Sequence, residues 1–184
     1  MEAVADIIAK VFGLCDYYCR VVVFFARQVA MPQTPLCSII TVVYNAESLI
    51  ERTLQSAAHQ TVQDFEHWII DGASIDGTLT VVERYQHARM HVVSERDKGI
   101  YDAMNKGVAM ATGDVIGILN SDDFYADEHV ISDIVKTIQQ SNSDGCYADL
   151  VYVDRRATNQ VIRSWKSGEY RHGDFLRGWM PPHP

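Results

Sequence analysis

A short apolar run that ends in two adjacent aspartates constrains the fold of this chain most. Val115–Leu119 is too short for a helix and is flanked by polar residues, which is typical of a buried strand. Asn120, Ser121, Asp122 and Asp123 come directly after it. Open α/β sheets bind ligands at the carboxyl ends of their strands, and paired carboxylates there can hold a divalent cation against a phosphate-bearing ligand. The alternative is that the two aspartates only form a turn or cap the next helix.

The rest of the chain alternates strands and helices. Apolar, β-branched runs predict strands, and apolar residues three and four apart predict the helices between them. This order predicts an α/β fold with a mostly parallel sheet and helices on both faces. The predicted strands are Cys37–Val43, Phe65–Ile70, His91–Val93, Val115–Leu119 and Gly145–Val153, with Gln160–Trp165 returning after a hairpin turn at Arg155–Asn159; the predicted helices include Leu49–Ala58, the segment through Val81 and Tyr85, Ile100–Ala111 and Val130–Ile138.

The N-terminal segment differs in character from the rest of the chain. We assign residues 1–35 to an amphipathic helix and a proline-bearing linker, and residues 36–184 to one main domain. Charged residues interrupt the apolar face, so a membrane-spanning helix is not expected, and acidic residues near the start disfavour a signal peptide. Three interpretations stay open: a helix that packs on the domain or a partner, an interfacial helix that contacts a membrane peripherally through residues 1–30, or a segment foreign to a domain that starts at Met31.

Composition and simple motifs exclude several classes of protein. The formal net charge of -8 argues against a nucleic-acid partner, because binding phosphates requires clustered Lys and Arg. The four cysteines have no CxxC spacing, which disfavours a zinc site or a disulfide framework and suits a cytoplasmic location. Neither GxGxxG nor GxxxxGK occurs, so a dinucleotide fold and a P-loop are not supported.

Three polar loops are expected at one edge of the predicted sheet. Thr41–Glu47, Asp71–Thr78 and Asn120–Asp123 each follow a parallel strand. Carboxylates without a phosphate-binding loop fit a nucleotide that is held by its base and ribose, with a metal ion neutralising the pyrophosphate.

Four motifs in this order resemble family 2 glycosyltransferases. They are Ser38–Asn45, Asp71–Thr78, Asp97–Gly107 and the segment from Gly113-Asp114 to Asp122-Asp123, and the resemblance covers about residues 36–184. It implies a GT-A type fold, a nucleotide-sugar donor that we expect to be a UDP-sugar, a Mg or Mn ion, and inversion at the anomeric carbon. The bacterial branch that builds exopolysaccharide and lipopolysaccharide is the most similar, which implies a saccharide or lipid-linked acceptor. It also implies a cytoplasmic location, with peripheral attachment to the inner face of the membrane as a further expectation.

The resemblance also implies roles for individual residues. Asp123 would ligate the metal, with Asp122 as a second ligand that faces the ribose or sugar. Asp71 would accept a hydrogen bond from the base imide. The remaining positions implied to bind the donor are Thr41 and Tyr44 beside the base, Glu47 and Ser74 in the neighbouring loops, and Lys98, Asp102 and Asn105 near the ribose, sugar or phosphates.

Structural roles compete with several of these assignments. Tyr44 could instead pack on the first helix. Asp76 is better interpreted as a helix cap than as a ligand. Asp102 and Asn105 share one helix face and could be solvated surface positions. A metal contact from His183 is a further hypothesis.

Two departures from the family pattern affect the expected activity. The family commonly has aspartate at the position of Asn120, which weakens the expected metal or ribose contact there. Members normally continue past Pro181–Pro184 into a segment whose acidic pair supplies the general base that inversion needs. We therefore expect a C-terminally truncated chain that lacks this base, and the catalytic residues stay unknown. The alternatives are a catalytically impaired nucleotide-sugar-binding or interaction module and, less well matched for want of a glycine-rich basic loop, a nucleotidyltransferase.

Overall fold

The computed structural model describes residues 24–26, 37–141, 143–171 and 173–181. Its elements alternate along the chain as the sequence predicts. They are β1 Phe24–Ala26, β2 Cys37–Val43, α1 Ile50–Ala58, β3 Phe65–Asp71, α2 Thr78–Arg84, β4 Met90–Ser94, α3 Ile100–Met110, β5 Val115–Ile118, α4 Val130–Ser141, β6 Gly145–Cys146, β7 Leu150–Val153, β8 Val161–Trp165 and a 3₁₀ turn Phe175–Arg177.

The main sheet has the strand order β4-β3-β2-β5-β1-β6. Strands β4, β3, β2 and β5 are parallel, because each is connected to the next along the chain by a helical crossover. Strand β1 runs antiparallel to β5 and to β6. The mostly parallel α/β sheet predicted from the sequence is confirmed.

Helices cover both faces of this sheet. Ile40 and Val42 of β2 point to one face and pack in a cluster with Met104 of α3. Val43 points to the other face and packs in a cluster with Leu54 of α1 and residues of α2. Because neighbouring residues of β2 point to opposite faces and are buried on both, its sequence is apolar throughout except for two small hydroxyl residues.

The prediction of a single strand over Gly145–Val153 is wrong. The chain leaves the main sheet after β6, and β7 pairs with β8 in a separate antiparallel hairpin. Asp149, between the two strands, accepts hydrogen bonds from the Ser167 backbone N–H at 2.9 Å and the Ser167 hydroxyl at 3.0 Å. These bonds attach the residues before β7 to the segment after β8. The predicted hairpin, formed by β7 and β8, is confirmed.

The predicted N-terminal helix lies outside the described residues except at Phe24–Ala26. Those three residues form strand β1 instead of continuing a helix. The surrounding sequence, Val21 to Phe25, is rich in β-branched and aromatic residues, which favour a strand when a partner is available. Within the described part of the chain, no helix is long and apolar enough to cross a membrane.

Candidate functional site

The register of the sheet brings the three predicted loops to one edge. Val43 of β2 lies opposite Asp71 of β3, and Asp71 lies opposite Ser94 of β4, so these strands end level with one another. Pairing between β2 and β5 stops at Ile40 and Ile118. The turn that follows β5 therefore runs beside the last residues of β2, close to the loops after β2 and β3.

The loops after β2 and β3 are tied together by hydrogen bonds. The Asn45 backbone N–H donates to Ser74 Oγ at 2.8 Å, and the Ile75 N–H donates to Asn45 Oδ1 at 2.9 Å. Asn45 adopts a positive φ of 48°, which turns its side chain back towards this loop. Glu47 accepts a hydrogen bond from the Gly77 N–H at 3.1 Å. Ser74 and Glu47, both expected near the donor, therefore hold the two loops in place.

Asp71 lies at the centre of this network. Its carboxylate is fully buried. It accepts hydrogen bonds from the Ser94 hydroxyl at 2.6 Å, from the Ser74 backbone N–H at 3.0 Å and from the Ser74 hydroxyl. Donors of this kind satisfy a buried charge that would otherwise be costly. Asp71 is therefore enclosed and preorganised at the end of β3.

The side chains of Tyr44 and Asp97 both lie close to Gly72, the residue that follows Asp71. Tyr44 is the first residue after β2, and its side chain is 62% exposed. A Cβ atom built on Gly72 would lie 3.3 Å from Tyr44 Cδ2 and 2.7 Å from Asp97 Oδ2. Asp97 was missed as a site residue, although it opens one of the motifs that carry the resemblance. Its position before Lys98-Gly99, directly after β4, was the signal available.

The Asp-Asp turn is held by helix α1. The buried hydroxyl of Thr53 lies 2.8 Å from the Ser121 carbonyl oxygen and 2.7 Å from that of Asp123, to which it donates. The Asp123 N–H donates to the Asn120 carbonyl at 3.1 Å, and Asn120 Nδ2 lies 3.4 Å from Asp123 Oδ2. Helix α1 thus fixes the backbone of the two aspartates at the carboxyl end of β5.

The charges at this turn are poorly solvated. Asp123 is only 3% exposed. Burial raises the pKa of Asp122, and its own backbone N–H and the positive charge of Arg155 offset the shift only in part. Binding of a cation would favour the ionised forms of such carboxylates.

The residues present fit a divalent cation bound jointly with a ligand. Among the described residues, no three His, Cys, Asp or Glu side chains converge on a common point. Asn120 Oδ1 is a buried oxygen without a hydrogen-bond partner in the described part of the chain. Mg²⁺ is commonly held by one or two carboxylates plus substrate phosphates and water. Asp122, Asp123 and Asn120 would supply the oxygen ligands of the protein.

A cleft of about 300 Å³ opens beside Asp122, between helix α1 and strand β7. Its walls include Tyr152 and Arg155 on one side and Arg52 on the other. The Arg52 guanidinium lies 5.3 Å from the centre of the Phe124 ring. The cleft therefore combines aromatic and cationic groups next to the Asp-Asp turn.

The donor-binding residues predicted on helix α3 and in the loop before it differ in their surroundings. Asp102 accepts a hydrogen bond from the Lys98 backbone N–H at 3.1 Å and lies 3.7 Å from Lys106 Nζ. It therefore stabilises the start of the helix. Lys98 and Asn105 are exposed, and Lys98 lies in the loop at the ligand edge of the sheet.

Two predicted or weighed residues lie elsewhere. Thr41 does not reach the edge of the sheet: it is fully buried, and its Oγ1 lies 2.8 Å from His67 Nε2. Burial, aided by the charge of His87, lowers the pKa of His67 to about 3, so this pair is a neutral part of the core. Asp76 accepts hydrogen bonds from the N–H groups of Thr78 at 3.0 Å and Glu47 at 3.1 Å, although the N-cap position of helix α2 is Gly77. His183 lies outside the described residues.

The fold and these loops define an α/β domain with a ligand site at the carboxyl edge of a parallel sheet. The chain belongs to the family 2 glycosyltransferases, because the model described as Glycosyl transferase family 2 matches residues 38–182. The PGL/p-HBAD biosynthesis glycosyltransferase of Mycobacterium bovis is 33% identical over 129 residues. This match covers 68% of the chain and 49% of the relative, so the chain spans about half the length of that protein.

Two solved structures share the fold. The mannosyltransferase PcManGT from Pyrobaculum calidifontis, in complex with GDP-Man and Mn²⁺, aligns with a TM-score of 0.54 and 28% identity over 57% of this chain and 32% of that one. S. aureus TarS 1-349, in complex with UDP-GlcNAc, aligns with a TM-score of 0.56 and 28% identity over 59% of this chain and 32% of that one. The GT-A type fold implied by the sequence is confirmed.

Proposed function

We propose that this chain is the donor-binding part of a glycosyltransferase: it binds a nucleotide-sugar donor with Mg²⁺ or Mn²⁺, from which the sugar is transferred, with inversion, to a hydroxyl of a saccharide or lipid-linked acceptor. The observation that carries the proposal is the Asp-Asp turn, which Thr53 fixes at the carboxyl end of β5 beside the Tyr44 and Asp71 loops. The solved structures of PcManGT and TarS support it, since each holds a nucleotide sugar. A role in bacterial cell-surface polysaccharide synthesis, on the cytoplasmic side of the membrane, completes the proposal.

Each part of the site has a task in this reaction. The exposed Tyr44 ring offers a flat face on which a nucleobase can stack. Asp122, Asp123 and Asn120 would hold the divalent cation against the donor diphosphate. The bound cation supplies electrostatic stabilisation of the negative charge on the departing nucleoside diphosphate. The acceptor oxygen forms its bond to the anomeric carbon as the bond from that carbon to the diphosphate oxygen breaks, and the hydroxyl proton passes to a general base, a role that the resemblance assigns to an acidic pair and to no residue of this chain.

The cleft beside Asp122 is where we place the acceptor. It adjoins the carboxylates that would hold the diphosphate, so an acceptor hydroxyl there could approach the anomeric carbon. Its aromatic walls, Phe124 and Tyr152, suit the apolar face of a sugar ring.

Calorimetric titration tests donor binding. We expect the chain to bind a nucleoside diphosphate in the presence of Mn²⁺ and to lose this binding in EDTA. Asp123→Ala should abolish the metal-dependent part, and Asp123→Asn should weaken it while preserving the volume of the buried side chain. Asp144→Asn, which removes an exposed carboxylate elsewhere, is the matched control and should bind as the wild type does.

Thermal melting of each variant separates loss of the ligand from loss of the fold. Equal nucleotide affinity with Mn²⁺ and with EDTA, or unchanged metal-dependent binding by a folded Asp123→Ala variant, would contradict the proposed cation site. Metal-dependent binding of nucleoside diphosphates without binding of any nucleotide sugar would contradict the proposed donor.

A further inference from the structure

The cleft beside Asp122 has an arginine in each of its walls. Arg52 of helix α1 lines one side, and Arg155, two residues after strand β7, lines the other. Among the described residues that line the cleft, none belongs to the loops after β3 and β4, so its walls are separate from those loops. The cleft meets the proposed cation site at the Asp-Asp turn.

Aromatic rings orient the arginine side chains of this region. The Arg52 guanidinium lies 5.3 Å from the centre of the Phe124 ring. Arg163 is paired with Tyr152 in the β7–β8 hairpin, and its guanidinium lies 5.3 Å from the centre of the Tyr152 ring and 5.8 Å from that of Trp165. A guanidinium held over a ring face keeps N–H donors at its edge, where it can bind a carboxylate or phosphate in bidentate geometry. Because Phe124 and Tyr152 line the cleft, these cationic groups lie beside it.

The carboxylates of the cleft interact with other groups. Glu51 accepts a hydrogen bond from the Tyr85 hydroxyl at 3.0 Å, on the side of helix α2. Asp122 and Asp123 are the proposed ligands of the cation. Burial raises the pKa of Asp122, and the positive charge of Arg155 offsets part of the rise, so Arg155 lies near this carboxylate. A guanidinium has five N–H donors, so Arg155 can interact with Asp122 and bind a second anion as well.

The distribution of charge along the chain also favours an anion here. Residues 150–184 contain six Lys or Arg residues and three Asp or Glu residues, whereas the whole chain carries a formal net charge of -8. Arg155, Arg156 and Arg163 belong to this part of the chain. The wall of the cleft that β7 and the following residues form is therefore the basic part of an acidic protein, and it attracts negatively charged ligands.

We propose that Arg52 and Arg155 bind an anionic group of the acceptor, a carboxylate or a phosphate, so that the acceptor is an acidic saccharide or a phosphate-linked saccharide. This inference rests on the proposed function, since it concerns the acceptor of the same reaction. The rings of Phe124 and Tyr152 contact the sugar, and the two arginines select its charge. They make hydrogen bonds to a charged group that a neutral sugar does not offer.

Titration of the whole chain, followed by ¹H–¹⁵N NMR, tests the assignment. Mg²⁺ and a saturating nucleoside diphosphate fill the proposed donor site, so that the probes do not bind to the cation in its place. The probes are methyl glucoside, methyl glucuronide and methyl glucoside 6-phosphate, which share one ring and carry a hydroxymethyl, a carboxylate or a phosphate group at the same position. We expect at least one charged probe to bind about tenfold more tightly than the neutral one, and this ratio to fall as salt is added. The charged probe that binds more tightly distinguishes an acidic saccharide from a phosphate-linked one.

Glutamine variants test the two arginines. Arg52→Gln and Arg155→Gln should each reduce the ratio of charged to neutral affinity to about two or less, with nucleotide affinity within about twofold of the wild-type value. Arg156→Gln is the matched control, because it removes the adjacent exposed arginine, which does not line the cleft. It should preserve the ratio. Thermal melting establishes that each variant is folded.

The outcomes separate this inference from the proposed function. Equal affinities for the three probes, no binding of any of them, or an unchanged ratio in both folded cleft variants would overturn the role of the arginines while leaving the donor site intact. A fall in nucleotide affinity of about tenfold or more in Arg52→Gln or Arg155→Gln would place that arginine at the donor diphosphate and also overturn it. Absence of metal-dependent nucleotide binding by the wild-type chain would overturn the proposed function itself.

Discussion

Asp71 and Asp122 both follow parallel strands at the same edge of the sheet, yet their surroundings differ. Asp71 is fully buried and accepts hydrogen bonds from two serine hydroxyls and a backbone N–H. Asp122 is half-buried, and the loss of solvation of its charged form is the main reason that its pKa is raised. Depth of burial alone therefore does not decide how well a carboxylate is accommodated; the supply of donors does.

The different surroundings of Asp71 and Asp122 indicate different roles: Asp71 supports the structure of the site, and Asp122 belongs to the part that we expect to bind the ligand. The Asp71 charge is satisfied within the protein, and its bonds hold the loops after β3 and β4 in place. A bound cation would stabilise the ionised form of Asp122, because it would replace the solvation that burial has removed. We therefore expect changes at Asp71 to affect stability first, and changes at Asp122 to affect binding first.

The largest expected effect is a loss of stability when Asp71 is substituted. Asp71→Ala removes a fully buried carboxylate that accepts hydrogen bonds from Ser74 and Ser94, and it should lower the free energy of unfolding by about 3 kcal/mol. Asp122→Ala removes a poorly solvated charge and should change it by less than about 1 kcal/mol. Urea denaturation followed by circular dichroism measures both values. Similar losses for the two variants would remove the distinction between them.

A substitution in helix α1 tests how the ligand-binding part is positioned. Thr53→Val keeps the shape of the side chain but removes the hydroxyl that donates to the Asp123 carbonyl and lies 2.8 Å from the Ser121 carbonyl oxygen. We expect stability to fall by about 1–2 kcal/mol and Mn²⁺-dependent nucleotide affinity to fall about tenfold, which is about 1.4 kcal/mol. Thr80→Val, the same change at an exposed position of helix α2, is the control. Wild-type affinity in Thr53→Val would show that the turn holds its conformation unaided.

Thr41→Val tests whether Thr41 belongs to the core or to the ligand site. The change removes the hydrogen bond to His67 inside the core and should lower the free energy of unfolding by about 1 kcal/mol. Nucleotide affinity should stay at the wild-type value, because Thr41 is fully buried and faces the core. Titration of the folded variant measures this, and a selective loss of nucleotide binding would return Thr41 to the base site.

The smallest effect is a dependence of stability on pH. The native pKa of Asp122 is raised, so the folded state binds a proton more tightly than the unfolded state, and stability falls as the pH rises from about 4 through the native pKa. Asp122→Asn cannot ionise and lacks this decline. The difference in unfolding free energy between wild type and Asp122→Asn, measured from pH 3 to pH 7, should therefore shift in favour of the variant and then level off. A shift in the opposite direction would indicate that Asp122 is well supplied with donors.

Much of the fold could be predicted from the sequence because local hydrophobic patterns determine most of its strands and helices. Strands β2 and β5 are mainly apolar, β3 has an apolar run near its end, and nearly all the residues of these three strands are buried. The break between β6 and β7 was not predictable in this way, because hydrogen bonds from the distant Ser167 to Asp149 direct the chain out of the sheet. Strand β1 likewise depends on partners far along the chain.

The candidate site was predicted less completely, since side-chain direction and partners decide it. The acidic turn after β5 and the exposed ring of Tyr44 lie at the expected edge. Thr41 was misplaced because a small hydroxyl residue in a strand can face the core as well as a ligand, and its partner His67 lies in another strand. The proximity of Asp97 to Gly72 and Tyr44 was not predicted, because no sequence spacing reveals it.

A crystal structure of the chain with a nucleoside diphosphate and Mn²⁺, in which anomalous scattering locates the manganese, would test the proposed donor site at atomic detail. We expect the manganese peak within coordination distance of Asp123 and of the bound diphosphate, with the base on Tyr44. Manganese away from the Asp-Asp turn, or a nucleotide bound outside the edge formed by β2, β3 and β5, would contradict the account.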